Sequence, residues 1–278
     1  MTAPVTGSVR LRFSATSPFV RKVRLVIHET GQADRVQHVY ANPWGDFGGS
    51  VAAEADNLRT QNPLSRLPTL LTADGQPLYD SPVICEYLDS LHDATPVHPP
   101  ADPAAANPPT NPHGGVTRWT ALTWQALADG MLDAQMLRLN EFMKRPIEAR
   151  SQMLMTRWAM AVAAGLDRLE AEADSLMGPS ANPAEGPAHM GQIAVAAMLA
   201  YLDFRWAVEP WRPDHPRLAA FYKAFSMRPA MAATAHREND PMGGYGELLF
   251  RRQKEHMTYW GSLGMAEARA ELARAAGP

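Results

Sequence analysis

A chain of 278 residues, 46% hydrophobic and 20% charged, carries enough apolar side chain for one large core or two ordinary ones. Its 26 basic and 29 acidic residues leave a formal charge of −3, without the basic excess of a protein held to nucleic acid by bulk electrostatics. The lone cysteine, Cys85, can supply neither an internal disulfide nor a multi-thiolate metal site.

Residues 1–8 lack the basic-then-apolar order of a signal peptide and read as a flexible N-terminus. The longest apolar run, 193–202, is about half of the ~20 residues a spanning helix requires. A cytoplasmic protein with no membrane or nucleic-acid partner is the expectation.

In chain order, Val9, Leu11 and Phe13 alternate with Arg10 and Arg12, the two-residue period of a half-buried strand. Ser17-Pro18 is a capping side chain followed by a proline at the first helical position, and Val20, Val23 and Ile27 continue at helical spacing up to Gly31. Residues 35–40 form a second strand, completing a βαβ start. Segments 68–73 and 76–79 flank Asp74-Gly75, a turn pair that joins antiparallel strands. Ser81-Pro82 repeats the cap-plus-proline start and opens a helix containing Val83, Ile84, Tyr87 and Leu88. Residues 9–93 therefore read as a mixed sheet, βαβ then ββα, covered by helices.

Between positions 96 and 112, seven of 17 residues are proline, so 94–115 reads as a semi-rigid linker or disordered insertion. Beyond it, strand signals nearly vanish. Segments 119–142, 151–176, 192–208 and 217–234 are rich in Ala, Leu and Met with helical spacing, which makes 116–240 an all-α bundle. The extension 241–278 offers a glycine hinge at Gly243-Gly244 and two possible helices, 247–260 and 266–275.

Three short elements carry chemistry. At Ser17-Pro18-Phe19, a hydroxyl and the free N–H groups of a first helical turn converge where the helix end contributes about half a positive charge, which suits an anion and would ease ionisation of a thiol held there. A plain helix cap explains the same residues. In Arg66-Leu67-Pro68, a cis proline would turn the N–H and C=O of Leu67 outward to pair with a peptide-like ligand as an added strand does; an ordinary trans proline is the alternative, and spacing does not choose. At Asp80-Ser81, a carboxylate beside a second helix start could take an α-amino group while the serine and first-turn amides take an α-carboxylate; a capping serine with a solvated aspartate is the plainer reading.

The order of these elements resembles the glutathione transferases: a Ser-Pro-Phe helix start, a loop closing in Arg-Leu-Pro before a hairpin, and Asp-Ser at the third helix. The bundle is similar to their C-terminal domain at Gly165-Leu166-Asp167-Arg168-Leu169-Glu170, Tyr201-Leu202-Asp203-Phe204-Arg205, and Pro216-Arg217-Leu218 through Arg228-Pro229-Ala230. The resemblance spans about residues 9–234. It implies a thioredoxin-like N-terminal domain followed by an all-helical domain, with serine-type bacterial members as the nearest comparison. It also implies glutathione as co-substrate with no metal, a small partly apolar electrophile as the other substrate, a role in detoxification, and a homodimer.

By that resemblance Ser17 activates the thiol, Phe19 is its aromatic neighbour, and Arg66 stands near the glycyl carboxylate. Leu67 pairs with the cysteinyl backbone, Pro68 is the cis-proline, and Asp80 with Ser81 holds the γ-glutamyl end. Trp124, Met131 and Asp133 fall on the stretch that lines the second-substrate pocket. Two features depart from the family: His189 and Gln192 stand where a Ser or Thr usually caps an Asp three residues on, and the loop 41–61 is long.

Other readings compete. Thr16 rivals Ser17 for the hydroxyl role. Asp129 and Asp133, one helical turn apart, would favour a cationic or hydroxylated substrate, against a solvated helix face. Trp124, Met131 and Met136 read as core or pocket wall. Cys85 reads as a small buried apolar residue, which disfavours a glutaredoxin-like thiol reductase, and the nine histidines show no i,i+4 metal pair with a carboxylate partner. A fold relative that binds a ligand or protein without turnover is the functional alternative. The extension would cover the second-substrate pocket or extend a dimer contact.

Overall fold

The computed structural model describes residues 8–41, 58–101, 113–178, 181–238 and 245–276. The alternation at the N-terminus produces β1 (Val9–Phe13), with Val9 and Leu11 buried. Ser17 then caps α1 (Pro18–Glu29), which leads into β2 (Val36–Tyr40), parallel to β1 with Val9 opposite Val36. After a one-turn α2 (Leu58–Gln61), the chain enters β3 (Thr69–Leu71) antiparallel to β1, with Arg12 opposite Thr69. The Asp74-Gly75 turn has Gly75 at φ +88°, a conformation that favours glycine, and returns the chain into β4 (Pro77–Leu78). The sheet order is β2-β1-β3-β4. Helix α3 (Ser81–Asp89) then packs beside α1.

The helical half comprises α4 (Arg118–Lys144), α5 (Gln152–Ala171), α6 (Ala173–Met177), α7 (Met190–Arg205), α8 (Pro216–Phe225) and α9 (Pro229–Ala233). The segment expected as one helix over 151–176 breaks at Glu172, and that over 217–234 breaks at Pro229, whose ring fits a first helical turn but not an interior. Helix α7 is apolar on nearly every side and lies at the centre, against α4 and α1. Its close approach to α4 depends on Gly191, where a Cβ would sit 2.8 Å from Trp124 and 3.1 Å from the Ala121 carbonyl.

The cap of α7 explains the His189 departure. The Gln192 amide donates to His189 Nδ1 at 3.2 Å and the His189 amide donates to Gln192 Oε1 at 3.1 Å, a complete capping box. Only a neutral imidazole can accept that bond. Burial, aided by His113, depresses the His189 pKa to about 3 and keeps the ring neutral.

The expected linker is less loose than its prolines suggest. Val97 and His98 are buried, and the Asp89 carboxylate accepts from both of their amides at 2.7 and 3.0 Å and from the His98 ring at 2.7 Å. The Met190 amide donates to the Val97 carbonyl at 2.7 Å, so this stretch is pinned between α3 and α7. Positions 102–112 lie outside the described residues, as do 42–57 of the long loop and the Gly243-Gly244 hinge.

The extension forms α10 (Tyr245–Trp260) and α11 (Met265–Ala276), packed on α4 and α5 respectively. Arg138, fully buried on α4 and held by Glu209 at 2.7 Å and Gln135 at 2.9 Å, ties the extension down by donating to the Leu263 carbonyl at 2.8 Å.

Candidate functional site

Strand register places the three chemistry-bearing elements together. The C-terminal end of β1 leads to Ser17. Because β3 runs antiparallel to β1 with Thr69 opposite Arg12, Leu67 and Pro68 lie at that same end. Because β4 runs antiparallel to β3 with Leu78 opposite Leu70, Asp80 and Ser81 emerge there too. Two helix N-termini and one cis-proline loop thus border one end of the sheet.

At the first corner, the Val20 amide donates to Ser17 Oγ at 3.3 Å. This cap uses a lone pair and leaves the Ser17 O–H proton available as a donor. Thr16 is turned elsewhere: its hydroxyl shares a 2.8 Å hydrogen bond with Ser14. Phe19 is half-buried against the core.

At the second corner, the Leu67-Pro68 bond is cis. Buried Asn62 braces the loop, donating to the Arg66 carbonyl at 3.2 Å and to Thr69 Oγ1 at 3.0 Å. The N–H and C=O of Leu67 make no hydrogen bond among the described residues, and the Arg66 side chain is exposed.

The third corner corrects the expected cap. Helix α3 starts at Ser81 with Asp80 as its cap residue, one position earlier than the Ser-Pro pair suggests, because the Asp80 carbonyl accepts the first helical bond from Ile84 at 3.1 Å. The Asp80 side chain makes no capping bond and is exposed, while Ser81 is buried.

Helix α4 borders this end of the sheet. The Asp133 carboxyl is held above the usual carboxylate range by partial desolvation, with Arg66 pulling it down and Asp80 pushing it up. Asp129 is not a solvated helix face: both of its oxygens accept from the fully buried Lys22 ammonium, at 2.7 and 2.5 Å. Burial still raises its pKa, against the pull of Lys22. Lys22 escaped the sequence reading because its partner lies 107 positions away.

Trp124 and Met131 are packed into the core among the described residues. Both are 2% exposed. Trp124 stacks on His189 and donates to Glu172 at 2.7 Å, and Met131 fills the space left by Gly165, where a Cβ would meet its sulfur at 2.4 Å. His236, which does reach the loop before Ser17, had no local signal in the sequence because it lies 221 positions from Ala15. His236 Nδ1 donates to the Ala15 carbonyl at 3.1 Å, and its ring stacks on Phe204 at 4.8 Å and meets Tyr201 edge-on at 5.7 Å. Burial lowers the His236 pKa to about 3, with Arg21 adding to the effect. The Tyr201 hydroxyl, itself buried, contacts the sulfur of half-buried Met136 at 3.8 Å.

Cys85 is buried with no exposure and its thiol is pushed up to about 12 by desolvation, which leaves it protonated and inert. No helix among the described residues is long and apolar enough to cross a membrane.

Comparison with known proteins agrees with this geometry. Residues 16–91 match the glutathione S-transferase N-terminal domain and 152–224 match the C-terminal domain. A glutathione transferase family member from Pseudomonas fluorescens Pf-5, solved with bound glutathione, is 36% identical with a TM-score of 0.68, over 83% of this chain and 100% of that one. A glutathione S-transferase from Methylobacillus flagellatus KT with glutathione bound is 28% identical with a TM-score of 0.66, over 83% of this chain and 100% of its own. The uncharacterized GST-like protein YibF of Escherichia coli (strain K12) is 29% identical over 229 residues, 81% of this chain and 98% of that protein. The thioredoxin-like domain, the helical domain and these matches together establish that the chain belongs to the glutathione S-transferase family.

Proposed function

We propose that this protein is a glutathione transferase that joins the glutathione sulfur to a small, partly apolar electrophile, with Ser17 as the catalytic group. The observation that carries this reading is the Ser17 hydroxyl, whose lone pair is taken by the Val20 amide and whose proton remains free to donate to a sulfur at the helix N-terminus. Donation to a thiolate, with the helix end behind it, lowers the thiol pKa; each unit is worth about 1.4 kcal/mol and raises the thiolate fraction about tenfold while the pKa stays above the working pH. The thiolate then attacks an electrophilic carbon, forming a C–S bond as the leaving group departs with its electron pair or as a proton is taken up in an addition.

Leu67 would pair through both backbone groups with the cysteinyl unit, Arg66 would attract the glycyl carboxylate, and Asp80 with Ser81 would hold the γ-glutamyl end. These assignments are supported by the single sheet end they share and by the glutathione-bound relatives. The half-buried side chains of Phe204, His236 and Met136, rather than the buried Trp124 or Met131, would receive the apolar part of the electrophile, with Asp133 at its polar margin. A cytoplasmic homodimer belongs to the same proposal.

The test is the ultraviolet absorbance of the bound glutathione thiolate across pH in the wild type and in Ser17→Ala. An upward shift of the titration in the variant supports the assignment, and superimposable titrations remove Ser17 from the mechanism. Failure of the wild type to bind immobilised glutathione at millimolar concentration would instead favour a non-catalytic binding module.

A further inference from the structure

Arginines gather where the end of the bundle crosses α1. Arg21 is buried and donates to the Met231 carbonyl at 3.1 Å, and Arg24, about one helical turn further on, donates to the Ala233 carbonyl at 3.0 Å. The Arg237 amide donates to the Ala15 carbonyl at 3.4 Å, which brings this residue to the same end of α1. The carboxylates nearby already have cations of their own. Glu238 pairs with Arg205, Glu29 takes two bonds from Arg228, and Asp203 accepts from both terminal nitrogens of Arg212 at 2.5 and 2.7 Å. Arg24 and Arg237 are therefore left in excess.

These two charges act on each other. Burial lowers the Arg24 guanidinium from its ordinary value and Arg237 lowers it further, with no carboxylate offsetting the pair among the described residues. A guanidinium carries five N–H donors in a fixed fork, and Arg24 spends one on Ala233 while its charged end lies 5.9 Å from the centre of the Phe13 ring. Its Nε is buried without a hydrogen-bond partner. The exposed Arg237 side chain makes no hydrogen bond or ion pair among the described residues. His28 follows Arg24 one turn along α1, and His38 of β2 meets the Phe13 ring edge-on at 5.3 Å with its Nε2 buried and unpartnered. Burial lowers both imidazoles and Arg24 adds to it, opposed by Glu29 at His28 and by the Val36 carbonyl at His38.

Like charges held together without a counterion cost free energy that a bound anion returns. A carboxylate would neutralise one of the two arginines, whereas a phosphate dianion matches both and accepts paired N–H bonds from planar guanidinium groups. We propose that Arg24 and Arg237 form an anion site for phosphate, free or as a phosphomonoester, with His28 and His38 at its margin. The Ser17 assignment plays no part in this proposal.

The experiment is calorimetric titration of the full chain with inorganic phosphate and with glycerol 3-phosphate at low ionic strength, repeated with S-hexylglutathione present to occupy the transferase cleft. The expected result is saturable phosphate binding that S-hexylglutathione changes by less than about twofold, with at least about tenfold loss of affinity in Arg24→Gln and in Arg237→Gln, the scale of a charge-assisted bidentate contact. Arg251→Gln, on α10 and outside this cluster, should cost less than about twofold. Equal binding of glycerol 3-phosphate assigns the site to phosphomonoesters, and binding of phosphate alone assigns it to the free ion; either supports the site. Arg237 is exposed, so its variant decides the question if Arg24→Gln misfolds. Absence of phosphate binding to the wild type at about 10 mM, displacement by S-hexylglutathione, affinity retained in either folded variant, or an equal loss in Arg251→Gln would overturn the assignment.

Discussion

Replacing Lys22 by methionine should destabilise this protein out of proportion to the loss of one surface charge. Lys22 is fully buried on α1, and the Asp129 carboxylate of α4 accepts two bonds from it, at 2.7 and 2.5 Å. Breaking a buried pair by removing one partner costs about 3–5 kcal/mol, since the remaining charge stays desolvated. The Asp129 side chain keeps 18% exposure, so the lower end, about 3 kcal/mol, is expected. Removing both charges, as in Lys22→Met with Asp129→Leu, should return stability to within about 1 kcal/mol of wild type, because both desolvation costs vanish with the attraction.

The pH dependence has a defined sign. Burial already holds the Asp129 carboxyl above its usual value of 3.8, with Lys22 pulling it down. Without Lys22 the folded-state pKa rises further, so the folded variant binds its proton more readily than the unfolded chain does. The deficit of Lys22→Met should therefore be full at neutral pH and shrink as pH falls toward 3.8. Urea denaturation of the wild type, the single variant and the double variant between pH 4 and 8 measures both effects. A deficit that is constant across this range, or a double variant as unstable as the single one, would refute the account of a desolvated, coupled pair.

Two further outcomes follow from buried groups. Cys85, with its thiol pushed up to about 12, should resist iodoacetamide in the folded protein and react on unfolding, as mass spectrometry would show; rapid labelling of the native form would contradict its burial. His189 and His236, both depressed to about 3, and His256, depressed to about 4, are neutral when folded and protonate near 6.5 when unfolded. Each should subtract up to about 1.4 kcal/mol of stability per pH unit as pH falls below 6.5, and His189→Asn, which keeps an acceptor at the cap, should flatten that slope by one proton; an unaltered slope would count against a neutral buried imidazole.

Local chemistry was legible where the determinants lie close in sequence. The alternating strand at 9–13, the Ser-Pro start of α1, the Asp-Gly hairpin and the helical spacing beyond the prolines depend on neighbours a few residues apart, so the mixed sheet followed by helices could be read directly. The ordered set Ser17, Leu67-Pro68 and Asp80-Ser81 carried the family resemblance for the same reason. Spacing did not distinguish a cis from a trans proline, nor which residue caps α3, because both turn on backbone geometry at a boundary. Helical periodicity likewise showed that Trp124 and Met131 face inward, but could not say whether the space they face is a pocket or another helix. Only the tertiary structure decided that Gly165 and Gly191 bring α5 and α7 against them, that Lys22 meets Asp129, and that His236 reaches the loop before Ser17. Each of these joins residues far apart in the chain, and the free energy of such a contact depends on burial and distance that no local pattern encodes.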